Sequence, residues 1–230
     1  MRLPLLLSVP HAGLIVPPEV SEICTLTTDD IIADGDSGAR EVYDLETEVE
    51  GFVITGIARA IVDINRPPDD RRKDGVVKTH TCWDVPVYKR PLDEKEIENL
   101  LNSYYHPYHQ KLTALSGDVL FGLDCHTMAH YGPPVGPDPG VERPRVCLSN
   151  ADGTCPDEWI KLLAACFEES LAGTVTINEP FKGGYTIRRH SNELPWVQVE
   201  LIRAMFTSND EKRDGVLAAL RRWCELIGIG

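Results

Sequence analysis

The apolar residues of this chain come in short runs, and that habit narrows the fold more than any other feature. Residues 3–9 form an apolar stretch closed by Pro10, and shorter ones lie at 119–123, 146–148, 174–177 and 197–202. Such runs suit strands covered on both faces. Residues 52–57 and 60–64, rich in β-branched side chains, read as two more strands. Helices are expected between them, at 28–48, from Asp93 to about 112, from Pro156 to about 171, and at 210–227. Asp93 is a good N-cap, Glu94 and Glu96 favour the positive helix end, and Pro107 should kink the helix that follows. Strands alternating with helices predict an α/β fold, a three-layer αβα arrangement around a mixed, largely parallel sheet. The 230 residues suit a single domain. The proline-rich stretch 131–145 then reads as a surface loop bordering a site, not as a linker.

The same short runs exclude a membrane helix, since none approaches the ~18–20 apolar residues needed to span a bilayer. The start resembles a signal peptide only superficially, because its apolar run is short and no small-x-small cleavage pattern follows. It is expected to be a buried first strand. Acidic residues outnumber basic ones 36 to 23, a formal charge of −13, which argues against nucleic acid or an anionic membrane as partner. A small anionic molecule can still be taken if arginines gather at its site. The seven cysteines include no C-x-x-C pair, as expected of reduced thiols in a cytoplasmic protein.

In open α/β sheets ligands gather at the carboxyl ends of strands. His11 follows the first run, Asn65 and Arg66 follow 60–64, Asp124 and His126 follow 119–123, and Glu200 lies within the last run. Two histidines and a carboxylate around an open position is the usual design of a catalytic zinc site. The candidates are His11 and His126, with Asp34 or Asp36 as the third ligand. Asp124 could orient the His126 ring. Glu200, costly to bury unless paired or near a metal, suits a general base whose pKa is held near neutrality. Arg66 with Asn65 could clamp a substrate carboxylate, which the guanidinium fork fits better than lysine.

Taken together these blocks resemble the N-formylglutamate amidohydrolase family, related to the zinc carboxypeptidases and to acyl-amino-acid deacylases. The blocks are Ser8-Val9-Pro10-His11-Ala12-Gly13, Asp34-Gly35-Asp36, Val62-Asp63-Ile64-Asn65-Arg66-Pro67 and Tyr105-His106-Pro107-Tyr108-His109. In the second half come Asp124-Cys125-His126, Asp152-Gly153-Thr154, Phe181-Lys182-Gly183-Gly184-Tyr185 and Gln198-Val199-Glu200-Leu201. The resemblance implies a zinc-carboxypeptidase-like fold and zinc-dependent hydrolysis of an N-acyl amino acid such as N-formylglutamate. It implies His11, Asp36 and His126 as metal ligands, with Asp34 as substitute, and Glu200 as general base. It implies Asn65 and Arg66 as holders of the α-carboxylate, and Arg188, Arg189 and His190 as further pocket residues, an arginine such as Arg188 steadying the oxyanion. Ser37 stands where the family has a tryptophan, and 145–150 departs from its usual acid and Leu-Gly-Thr run.

Other readings compete. A thiol hydrolase built on Cys125 and His126 is disfavoured, because adjacent strand residues face opposite sides of the sheet. His126 and His130 lie four apart, but the glutamate of a His-Glu-x-x-His motif is missing, with Thr127 in its place. The alternative from another class is a non-catalytic metal- or amino-acid-binding sensor on the same fold.

Overall fold

The computed structural model describes residues 2–133 and 137–229. Six strands, β1 (Leu3–Val9), β2 (Val49–Ile54), β3 (Phe121–Met128), β4 (Val146–Ser149), β5 (Val175–Ile177) and β6 (Trp196–Ile202), form one sheet in the order β2-β1-β3-β6-β4-β5. β2, β1, β3 and β6 run parallel. β4 pairs antiparallel to β6, and β5 follows β4, so the sheet is mixed and largely parallel as expected. The described helices are α1 (Pro18–Ser21), α2 (Thr28–Asp34), α3 (Ala39–Val42), α4 (Glu94–Leu100), α5 (His106–Leu115), α6 (Asp157–Leu171), α7 (Tyr185–His190) and α8 (Asn209–Ile227).

Side-chain alternation divides the sheet into two faces. Leu5, Leu7 and Val9, with Phe121, Leu123, Cys125, Val197, Val199 and Leu201, pack under α6 and α8 around Trp223. The opposite face begins apolar and ends polar. Leu6, Gly122 and Trp196 form one row, packed with residues of α4, α5 and α7. Gly122 is required there, since a Cβ would come 2.3 Å from the Trp196 indole. The next row is Ser8, Asp124 and Gln198, and one further along stand His126 and Glu200. The apolar rows supply the burial that holds the sheet, and the polar rows lie at the carboxyl ends of the parallel strands.

Three expected elements differ. Residues 28–48 hold two short helices instead of one, because the chain turns at Gly35 and Asp36 and Gly38 takes a left-handed φ of 79°. Residues 60–64 are not a strand. Ile61, Val62 and Ile64 are buried, but in an irregular segment that touches residues 73–78 through a Val62–Val77 bridge. Burial, not pairing, explains their composition. At Pro107 the strain is taken up by a π-helical turn, Leu101–Tyr105, which places the proline at the start of α5, where its missing N–H costs least. Of the proline-rich stretch 131–145, residues 134–136 lie outside the described residues. No described helix is long and apolar enough to cross a membrane, and all seven cysteines are free of disulfides.

Candidate metal centre

His11 sits on the turn after β1, His126 on β3, and Asp36 in the loop between α2 and α3. The Asp36 amide donates to the His11 carbonyl (3.1 Å), which ties the two loops together. All three side chains are buried, and they offer one ligand atom each within 4.8 Å of one another. Asp36 Oδ2 lies 2.9 Å from His126 Nδ1 and 3.5 Å from His11 Nδ1. The far ring nitrogens are both held by carboxylates: His11 Nε2 lies 2.8 Å from Asp63 Oδ1, and His126 Nε2 lies 3.0 Å from Asp124 Oδ2. This arrangement fixes both rings with Nδ1 turned inward, the carboxylate support that an imidazole ligand to a metal commonly has on its other nitrogen.

The charges are mutually dependent. Burial alone would push the Asp36 carboxyl up, but His11 and His126 hold it well below the usual carboxylate range. Burial disfavours a charged His126, yet Asp124 and the hydrogen bonds to Asp124 and Asp36 raise its pKa well above the ordinary value. Asp63, likewise buried, is held low by His11 and Arg59. Two imidazoles caged by carboxylates in this way form a cluster that a divalent cation would complete, by replacing the protons on the two inward nitrogens.

Glu200 pairs in register with His126 across β6 and β3. Its Oε1 accepts from Gln198 Nε2 (2.9 Å), and the Gln198 Oε1 accepts from the Gly184 amide (2.6 Å), so the amide orientation is fixed. Burial pushes the Glu200 carboxyl up against the pull of His126, as a general base needs. The cluster opens into a cavity of about 770 Å³, walled by residues of 59–84, by Thr127–Ala129 and Arg143, and by Phe181–Gly184.

A family model described as N-formylglutamate amidohydrolase matches residues 3–207. The chain belongs to that family. Its relatives include the N-formylglutamate deformylase of Pseudomonas putida, 25% identical over 91% of this chain and 84% of that protein, and that of Pseudomonas aeruginosa, 25% identical over 92% and 84%. The crystal structure of an N-formylglutamate amidohydrolase from Ralstonia eutropha JMP134 superposes with a TM-score of 0.79 at 22% identity, covering 99% of this chain and 95% of that one.

Not every residue implied by the family blocks is free to act in the cavity. Asp34 lines it, but its oxygens are taken: Lys78 Nζ donates to both (2.9 and 3.1 Å), the Cys82 amide donates as well (2.6 Å), and the Asp34–Lys78 pair is fully buried. A carboxylate so engaged is no free ligand. Asn65 is engaged too, donating to Asp124 Oδ2 (3.2 Å) and accepting from the Thr186 amide (2.8 Å). Arg66 does line the cavity, between Asp63 (3.6 Å) and Asp74 (3.3 Å). Arg188 and Arg189 are exposed on α7 and line no part of it. His190 is buried against His109 (2.9 Å) and Glu193 (2.8 Å), because one short helix cannot turn three consecutive residues to the same side. Asp63 and Gln198 stand in the family blocks without a role assigned to them, and Lys78 and Arg203 lie outside those blocks; the structure brings all four to the site or its wall. Each is a polar residue in or beside an apolar run, and that is the signal that could have found them.

Proposed function

We propose that this chain is a zinc-dependent amidohydrolase that removes an N-acyl group, N-formyl foremost, from an amino acid such as N-formylglutamate. The observation that carries the reading is the pairing of a His11–Asp36–His126 donor set, with both outer ring nitrogens fixed by carboxylates, and a buried Glu200 in register beside it. Nitrogen and oxygen donors in this number suit zinc. A bound zinc would supply Lewis-acid polarisation of the amide carbonyl and lower the pKa of water near it. Glu200 takes the proton of the attacking water and passes it to the departing amine as the C–N bond breaks, releasing the acid and the free amino acid. Gln198 holds one oxygen of Glu200 and leaves the other free for this transfer. Arg66 receives the substrate α-carboxylate in competition with Asp74, fixing the amide before reaction.

The test is release of primary amine from a panel of N-formyl, N-acetyl and N-succinyl amino acids with added zinc. Turnover is expected, and Glu200→Gln should lose orders of magnitude of it while metal content stays near normal. Binding across the panel without turnover by the wild type would favour the sensor reading instead.

A further inference from the structure

Asp36 presents its two carboxylate oxygens to different neighbours. Oδ2 faces His126 Nδ1 (2.9 Å), the Thr127 amide (3.3 Å) and His11 Nδ1 (3.5 Å). Oδ1 faces a guanidinium, Arg203 Nη2, at 3.6 Å, its one polar side-chain neighbour among the described residues. That guanidinium is anchored elsewhere. Nη2 donates to the Gly35 carbonyl (3.0 Å) and the Thr127 carbonyl (3.1 Å), and Nε donates to Thr127 Oγ1 (3.2 Å). Thr127 Oγ1 in turn donates to the Ser37 carbonyl (3.0 Å). One side chain just beyond β6 therefore joins the end of β3 to the loop that carries Asp36.

We propose that Arg203 is a positioning residue of the metal centre, holding Asp36 to ligation through one oxygen so that a coordination position stays open for the reaction. The inference rests on the metal reading given above. An unconstrained carboxylate can close on a cation with both oxygens. Catalytic zinc sites instead keep three protein ligands and an open place. A planar guanidinium gripping the neighbouring carbonyls can impose that geometry, which a lysine ammonium cannot.

The sign of the effect separates this role from simple charge. Arg203 is a positive group next to a cation site, so through space it repels the metal, and its removal alone would tighten binding. If it positions Asp36, removal must weaken binding. Zinc affinity is measured by competition with a chromophoric chelator, and the visible spectrum of the cobalt(II) form reports coordination number. Arg203→Met should bind zinc about tenfold to a hundredfold more weakly, the range found when groups supporting metal ligands are removed. Its cobalt form should lose absorbance as coordination number rises. Arg203→Lys, which keeps the charge and lacks the fork, should also fall at least tenfold below wild type. Thr127→Val, which removes the Nε anchor and the bond to the Ser37 carbonyl but keeps both Nη2 anchors, should show a smaller loss and serves if the Arg203 variants do not fold. Tighter or unchanged binding by Arg203→Met, or wild-type behaviour of Arg203→Lys, overturns the inference and leaves the metal reading intact. A wild-type protein that binds no divalent metal overturns both.

Discussion

The amide of Asn65 bridges two parts of the centre, donating to Asp124 and accepting from the first turn of α7. Gly184 makes room for it, since a Cβ there would lie 2.3 Å from Asn65 Nδ2. The Gly183-Gly184 block thus lets a backbone approach the residue that steadies the partner of His126. If this bridge is its role, Asn65→Ala should weaken zinc binding about tenfold or more. A variant that raises KM for the substrate while zinc binding stays unchanged would restore Asn65 to the carboxylate clamp. Sequence spacing put His11, His126 and Glu200 at or near the carboxyl ends of strands, where the structure has them, because backbone geometry alone brings those positions to one edge; Asp36 was expected within a helix and lies on a loop. It could not tell Arg66, which lines the cavity, from Arg188 and Arg189, which do not, because the reach of a guanidinium is decided by contacts made far along the chain.

At the scale of elements, α5 and α7 meet through a buried imidazole pair. His109 Nε2–H donates to the Ile64 carbonyl (3.1 Å), so His109 Nδ1 accepts from His190 Nε2 (2.9 Å). Burial, with the His190 neighbour adding to it, pushes the His109 pKa down to about 3. The unfolded ring takes a proton near pH 6.5 and the folded one does not, so the unfolded state binds more protons between those values and stability falls as pH falls. Denaturant unfolding should show the wild type losing about 1–2 kcal/mol between pH 6.5 and 5 from this ring, a loss largely absent in His109→Gln. Equal slopes in the two proteins would refute the assignment. The short apolar runs were good guides to β1, β3 and β6. Residues 60–64 misled because an irregular buried segment needs the same side chains as a strand. The 28–48 helix misled because the turn that presents Asp36 interrupts an otherwise helical pattern.

For the whole molecule, the excess of acidic residues sets a repulsive field around a cavity that the proposed function assigns to an anion. Raising ionic strength from about 0.01 to 0.15 M shortens the screening length from about 30 to 8 Å. It should therefore raise kcat/KM for N-formylglutamate, and raise it less for a singly charged N-formyl amino acid. A fall with salt would mean that local arginines govern capture. The layered α/β fold was legible from periodicity, and the proline-rich composition of 131–145 marked a loop beside the site, where Pro133, Pro137 and Arg143 do line the cavity; the wall built from residues of 66–84 was not legible, since loops follow no period. The pairing of His126 with Glu200 across adjacent parallel strands has one more consequence. Strands lie about 4.8 Å apart, so the span from His126 to Glu200, the proposed metal ligand and base, is set by main-chain hydrogen bonds, not by side-chain packing. A slip of one residue would send the polar row of β6 into the apolar layer beneath α6 and α8, and Val199 into the place of Glu200. A sheet assembled in that register would bury an unpaired carboxylate, so folding itself proofreads the geometry on which the chemistry depends.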